Sequence, residues 1–197
     1  MAAAGCRSVN LAIESGSERV LKDVIRKPVK LEKARHISAK IKSLDMDLIC
    51  NFIIGLPTET WSEIRETFSF AEELDADYSK FFIATALEGT KLADMVEANN
   101  LQMDGDRSGQ MKDLNWSISR VKSAEWTTED ITILRAYEWE RINFRTQAKR
   151  DKLTRMMNIS VEDLDGLRRN TFRSVKDNLS LIWSEEAAVE ARAEPPH

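Results

Sequence analysis

A chain of 197 residues, 42% hydrophobic and 31% charged, can bury a core and keep a well-solvated surface, so one domain, or a domain with an appendage, is expected. No apolar run approaches the ~20 residues needed to cross a bilayer, and the opening "MAAAGCRSV" is too short and too little apolar for a secretion signal. Two cysteines, Cys6 and Cys50, cannot make a disulfide framework, so a reducing cytoplasm is the default, and a net charge of -4 gives no global attraction to nucleic acid.

"SVNLAIE" (residues 8–14) is a short apolar run ending in a polar loop and predicts a buried strand. "SERVLKDVI" follows with helical spacing at Val20, Leu21, Val24 and Ile25, and stops at Pro28. Residues 31–44 predict a helix with Ala34, Ile37, Ile41 and Leu44 on one face. "DLICNFIIG" (47–55) is the strongest strand, and 60–74 predicts a helix opened by a capping box of Thr60 with Glu63. "YSKFFIATA" (78–86) is a third strand and 90–99 a further helix. Strand starts about forty and then about thirty residues apart, with continuously apolar strands, imply βαβ units and a parallel sheet covered by helices.

Residues 100–110 are loop-like and mark a boundary. Beyond them "WTTEDITILRAYEWERINF" predicts a long helix capped by Thr127 or Thr128, and "SVEDLDGLRRNTFRSVKDNLSLI" another, with Ser160 and Asp163 as its capping box. Between Arg141 and Lys176 ten Lys/Arg stand against four acidic residues. A phosphate-binding surface and a solvated helical face both fit this run, and the scarcity of aromatic residues favours the second.

In parallel α/β folds the chemistry sits where strands hand over to helices. The informative segments are therefore "ESGSE" (14–18), "GLPTET" (55–60) and "TALEGT" (85–90). Each also has a plain structural reading: Ser15 with Glu18 fits a capping box, Gly16 and Gly55 ease a turn, and Pro57 fixes one. Three polar, glycine-containing loops on one rim favour a shared ligand site without naming the ligand.

The run "AGCRSVNLAIESGSERVLKDVIRKPVKLEKA", then "FIIGLPTET" and "EGTKL", resembles the second half of the radical S-adenosylmethionine (radical SAM) barrel. It is most like the group that often carries an N-terminal cobalamin-binding domain, and "YEWERINF" with the region to about Leu179 is similar to that group's helical C-terminal extension. The resemblance implies an α/β fold: a partial (β/α) TIM-type barrel of about three parallel strands at 1–99, a loop or linker at 100–125, a helical extension at 126–183 and a disordered tail at 184–197. It also implies a site. Glu14, Ser15, Gly16 and Ser17 would hold the ribose and methionine parts of S-adenosylmethionine. Ile53, Gly55, Pro57 and Glu59 would form an adenine-facing wall, with glycine letting the backbone approach and Glu59 fixing the loop. No catalytic residue and no metal ligand is assigned.

Two departures qualify that picture. The family's CxxxCxxC motif is absent, since Cys6 and Cys50 lie 44 positions apart in strand-like regions where buried structural thiols are common. A [4Fe–4S] cluster takes cysteine thiolates, so the chain alone is expected to be inactive, with the cluster, and any cobalamin, belonging only to a complete protein. Ala86 and Glu88 stand where the family often has prolines. Three strands also cannot close a barrel of eight, and the first strand would expose an apolar edge. The expectation is part of a radical SAM enzyme whose N-terminal half is missing or comes from a partner chain. A non-catalytic ligand- or partner-binding module, and an RNA-modification accessory acting through the basic helices, are the alternatives. The substrate is not identified, since methyl transfer and other radical transformations share the scaffold. His36 reads as a surface or partly buried histidine; for Trp116, Trp126 and Trp139 a substrate-cleft lining and core or interface packing are both open, with the large apolar area of tryptophan favouring packing.

Overall fold

A computed structural model gives the fold and describes residues 1–101 and 119–193. Most of the expected linker, with Trp116, and the last four residues of the expected tail lie outside the described residues. Three strands, β1 (Ser8–Glu14), β2 (Asp47–Ile54) and β3 (Tyr78–Ile83), form one parallel sheet in the order β1-β2-β3. A π-helical turn (Val20–Ile25) and helix α1 (Leu31–Ser43) connect β1 to β2. Helix α2 (Trp61–Leu74) connects β2 to β3, and α3 (Lys91–Ala98) follows β3. Three further helices complete the chain: α4 (Thr128–Phe144), α5 (Gln147–Met157) and α6 (Val161–Ala193). The partial βαβ architecture is therefore present, as an open sheet rather than a closed barrel among the described residues.

The two faces of the sheet differ because side chains alternate along a strand. Leu48, Cys50, Phe52 and Ile54 of β2 point to one face and are fully buried beneath α1 and α2. There Phe52 stacks on Phe81 at 5.4 Å, and Phe68 of α2 lies 5.0 Å from the same ring. Burying each such side chain stabilises the fold by about 2–3 kcal/mol. The opposite face, formed in register by Asn10, Ala12, Ile49, Asn51, Ile53, Tyr78, Lys80 and Phe82, is only half covered.

The outer edge of β3 is closed by side chains of α4. Asn143 accepts from the Ser79 amide at 2.8 Å and donates to the Ser79 carbonyl at 2.9 Å, while Arg135 Nε donates to the Phe81 carbonyl at 2.8 Å. A helix thus supplies the pairing that a fourth strand would otherwise give. The edge of β1 has less cover, with Lys27 donating to the Ala12 carbonyl at 2.9 Å.

Half of the basic run of the C-terminal helices is engaged in ion pairs within the chain. Arg145 and Lys149 pair with Asp75, Arg141 with Glu72 and Glu138, Lys152 with Asp47, and Arg168 with Glu140 and Asp165. These pairs fix the helical extension to the loops at the N-terminal end of the sheet. Arg155, Arg169, Arg173 and Lys176 of the same run are exposed on the helical face. Trp126 and Trp139 are buried, and His36 is exposed. No helix among the described residues is long and apolar enough to cross a membrane.

Asn143 is fully buried and makes three hydrogen bonds, the third to the Trp139 carbonyl. Asn143→Ala leaves the Ser79 amide and carbonyl without partners in a dry edge. It is expected to lower unfolding free energy by about 2–4 kcal/mol in urea denaturation. A loss under about 0.5 kcal/mol would show that α4 does not carry that edge.

Candidate functional site

The C-terminal ends of β1 and β2 meet at one rim. β1 ends in Glu14, whose φ of 74° lies in the left-handed region, beside a register shift between Ala12 and Glu14. The next three residues turn sharply under α2. The Gly16 amide donates to Thr67 Oγ1 at 3.0 Å, Ser15 Oγ lies 3.2 Å from the same hydroxyl, and the Ser17 amide donates back to Ser15 Oγ at 3.1 Å. A Cβ on Gly16 would lie 2.5 Å from the Glu66 carbonyl oxygen, so α2's own backbone requires glycine there.

The second loop folds around a buried carboxyl group. Glu59 is 1% exposed, and its Oε2 accepts the Leu56 amide at 3.0 Å while Trp126 Nε1 donates to its carbonyl at 2.9 Å. Its Oε1 is buried with no hydrogen-bond partner. Burial pushes the carboxyl up to about 8, against the pull of the Leu56 and Gly55 amides. Gly55 has a φ of 73°, and a Cβ there would lie 3.1 Å from Ile131 and 3.6 Å from Ile83. The position a Cβ would take on Gly16 or Gly55 is therefore occupied by the chain itself, whereas the family resemblance implied that Gly55 lets the backbone approach a ligand.

Arg19 joins the two loops. Its Nε donates to Glu63 Oε1 at 2.5 Å, and its Nη2 donates to Glu63 Oε2 at 2.7 Å and to the Thr58 carbonyl at 2.8 Å. Glu63 also accepts from the Thr60 amide and hydroxyl, both at 2.9 Å, and from Ser17 Oγ at 3.4 Å. The Arg19 guanidinium, aided by Thr60, holds the Glu63 carboxyl down at about 2. Beneath this clamp Val20, Leu56 and Ala84 form a small apolar cluster, which brings the base of the third loop to the same rim. Thr90 in that loop serves as the N-cap of α3, its Oγ1 accepting the Ala93 amide.

The eight residues singled out in the sequence divide into two groups. Ser15, Ser17, Gly55, Pro57 and Glu59 are buried, and Gly16 is packed on α2. Glu14 and Ile53 are partly exposed at the end of the half-covered sheet face, and Ile53 flanks the apolar cluster. Glu14 Oε1 pairs with Lys27 Nζ at 2.7 Å, and Asn51 Oδ1 on the same face as Ile53 has no hydrogen-bond partner. Arg19, Lys27 and Thr67 carry no signal in the sequence, and Trp126 reads there mainly as a packing residue. They act across 13 to 67 positions, and only the capping box at Thr60 and Glu63 gave a local signal.

Comparison with known proteins gives this rim a family context. Residues 1–71 match the family model of the Radical SAM superfamily. An uncharacterized methyltransferase of Pyrococcus horikoshii is 39% identical over 97 residues, covering 49% of this chain and 21% of that protein. The cytidylyl-2-hydroxyethylphosphonate methyltransferase of Streptomyces wedmorensis is 38% identical over 98 residues, covering 47% and 18%. The tRNA-2-methylthio-N(6)-dimethylallyladenosine synthase of Geobacillus kaustophilus is 30% identical over 129 residues, covering 64% and 24%. The chain is thus similar to radical SAM proteins over the segment that carries β1 and β2, and it spans about a fifth of the length of these curated relatives.

Glu59 and Glu63 stand four positions apart and give opposite pH dependence. Glu63 binds its proton less tightly folded than unfolded, so its contribution is present above pH 4.5 and lost as pH falls towards about 2. Glu59 binds its proton more tightly folded, so its contribution is complete below pH 4.5 and lost as pH rises through about 8. Urea titrations of Glu59→Gln should show a shallower stability decline between pH 5 and 8 than the unmodified chain. Arg19→Met should instead flatten the acid limb. An unchanged alkaline limb in Glu59→Gln would contradict the burial assigned to this carboxyl.

Proposed function

We propose that this chain, whose residues 1–71 match the Radical SAM superfamily, forms the S-adenosylmethionine-handling rim of a larger radical SAM enzyme that transfers a methyl or methylthio group. The observation that carries the reading is the coincidence of the matched segment with two strand-end loops joined by Arg19. Glu14 and Ile53 touch the cofactor. The second carboxylate oxygen of Glu14 accepts from its ribose or amine, and Ile53 offers an apolar wall to the adenine. Ser15, Gly16, Ser17, Gly55, Pro57 and Glu59 set the shape of the two loops from behind. The half-exposed Ile53 and the unpartnered Asn51 Oδ1 fit a ligand with an apolar base and polar edges.

The iron–sulfur cluster of this family does not fit the residues present. Cys50 is fully buried with its thiol pushed up to about 12, and no group of three or more His, Cys, Asp or Glu among the described residues is placed to hold a metal. A cluster takes several thiolates, so in this reading it is held by sequence outside these 197 residues. S-adenosylmethionine, when bound beside such a cluster, supplies the radical chemistry. Residues 1–71 hold and orient it. Any cobalamin belongs to the complete protein in this reading, by the likeness to the cobalamin-associated group. The methyltransferase relatives support methyl transfer. Five of the ten basic residues between Arg141 and Lys176 are ion-paired within the chain, which leaves fewer free cations for an RNA-accessory role.

Titrating the isotope-labelled chain with S-adenosylmethionine tests this directly by nuclear magnetic resonance. Perturbed amides should cluster at residues 12–17 and 51–59. Perturbations confined to α5 and α6, or none at millimolar ligand, would overturn it.

A further inference from the structure

We infer that Lys27 is a positioning residue that holds Glu14 in its ligand-facing conformation, through a π-helical turn built for that purpose. The inference rests on the reading of Glu14 as a cofactor contact. Glu14 is a non-glycine residue at a φ of 74°, where a side chain is strained by roughly 1 kcal/mol or more. Such a conformation persists only where neighbours over-determine it. On its C-terminal side the Ser15–Ser17 turn is bolted to Thr67 and Glu63. On its own side chain the fastening is Lys27, whose ammonium donates to Glu14 Oε1 at 2.7 Å and to the Ala12 carbonyl at 2.9 Å. The two acceptors flank the register shift in β1, so one ammonium fixes both the irregular strand end and the carboxylate that leaves it.

The path of the chain explains how Lys27 reaches this point. Residues 20–25 form a π-helical turn, wider than an α-helical one. It closes with Arg26 in the left-handed region at a φ of 58°, and the Arg26 and Lys27 amides both donate to the Leu21 carbonyl, the latter at 2.9 Å. Val20 and Leu21 are buried and anchor the turn, after which Pro28 prevents the helix from continuing. The reversal at Arg26 brings Lys27 back over the end of β1, 13 residues from Glu14. The ion pair is partly sheltered, with side-chain exposures of 35% and 18%, so solvent competes with it less than with a surface pair. Glu14 Oε2 has no hydrogen bond among the described residues, which leaves one oriented acceptor for a hydroxyl or amine.

The test compares Lys27→Met, Lys27→Arg, Glu14→Gln and Lys27→Met/Glu14→Gln by two readouts. In the chain without ligand, the Glu14 carboxyl carbon resonance and the Glu14 amide coupling constant report on its placement. Both should move in Lys27→Met and stay near the unmodified values in Lys27→Arg. With S-adenosylmethionine as the probe, calorimetry of the same proteins should give a dissociation constant about tenfold weaker for Lys27→Met and for Glu14→Gln, a similar loss for the double variant, and recovery in Lys27→Arg. Ligand-free Glu14 signals unchanged in Lys27→Met would overturn the positioning role. Unchanged affinity in Lys27→Met beside a weakened Glu14→Gln would overturn it as well, while leaving the cofactor reading intact. Equal affinity in all four variants, or no binding by any protein, would remove the cofactor reading itself.

Discussion

The ion pair between Arg19 and Glu63 is the constraint on which the rim depends. A parallel sheet presents its strand-end loops side by side but does not hold them together. Here a guanidinium from just after β1 takes both oxygens of a carboxylate at the start of α2 and a carbonyl of the β2 loop. Glu63 is also half of the Thr60 capping box, so the residue that starts α2 is the residue that fastens the first loop to the second. Bidentate geometry and extra hydrogen bonds to the same carboxylate give this pair its rigidity, where an isolated surface pair would contribute little.

Behind the clamp the polar groups follow two rules. Where a cation is in reach the carboxylate bonds it, as Glu63 bonds Arg19 and Glu14 bonds Lys27. Glu59, with no cation bonded to it among the described residues, is buried against the Leu56 amide, and burial pushes its carboxyl up to about 8. The glycines are explained by the same density of contacts. Gly16 sits against the backbone of α2, and Gly55 against Ile131 and Ile83. The second loop is consequently packed from the far side by α4 and Trp126, so the C-terminal helices help to shape the rim even though they lie outside the matched segment.

Much of this was legible in the sequence because it is local or periodic. The three strands start where the apolar runs start, and the caps at Thr60, Thr90, Thr127 and Ser160 fall where hydroxyl-to-acid spacing or helix onset placed them. Helix α5 escaped notice because it is basic and buries a single hydrophobic residue, Leu153, so no apolar stripe announces it. The turn at residues 20–25 showed helical spacing, yet its closing hydrogen bonds make it π rather than α. The site split in the same way. Its loops were visible as glycine-containing polar segments after apolar runs. Its fastenings at Arg19, Lys27, Thr67 and Trp126 join residues far apart in sequence, where no spacing rule applies.

The account stands or falls on whether the two loops form one mechanical unit. Amide hydrogen exchange of the chain and of Arg19→Met measures this most directly. If the clamp joins them, removing the guanidinium lowers protection at residues 16–20 and at 56–60 together, while β2 and α4 keep theirs. Loss confined to one of the two loops, or protection unchanged in both, would contradict the claim that Arg19 and Glu63 make a single rim.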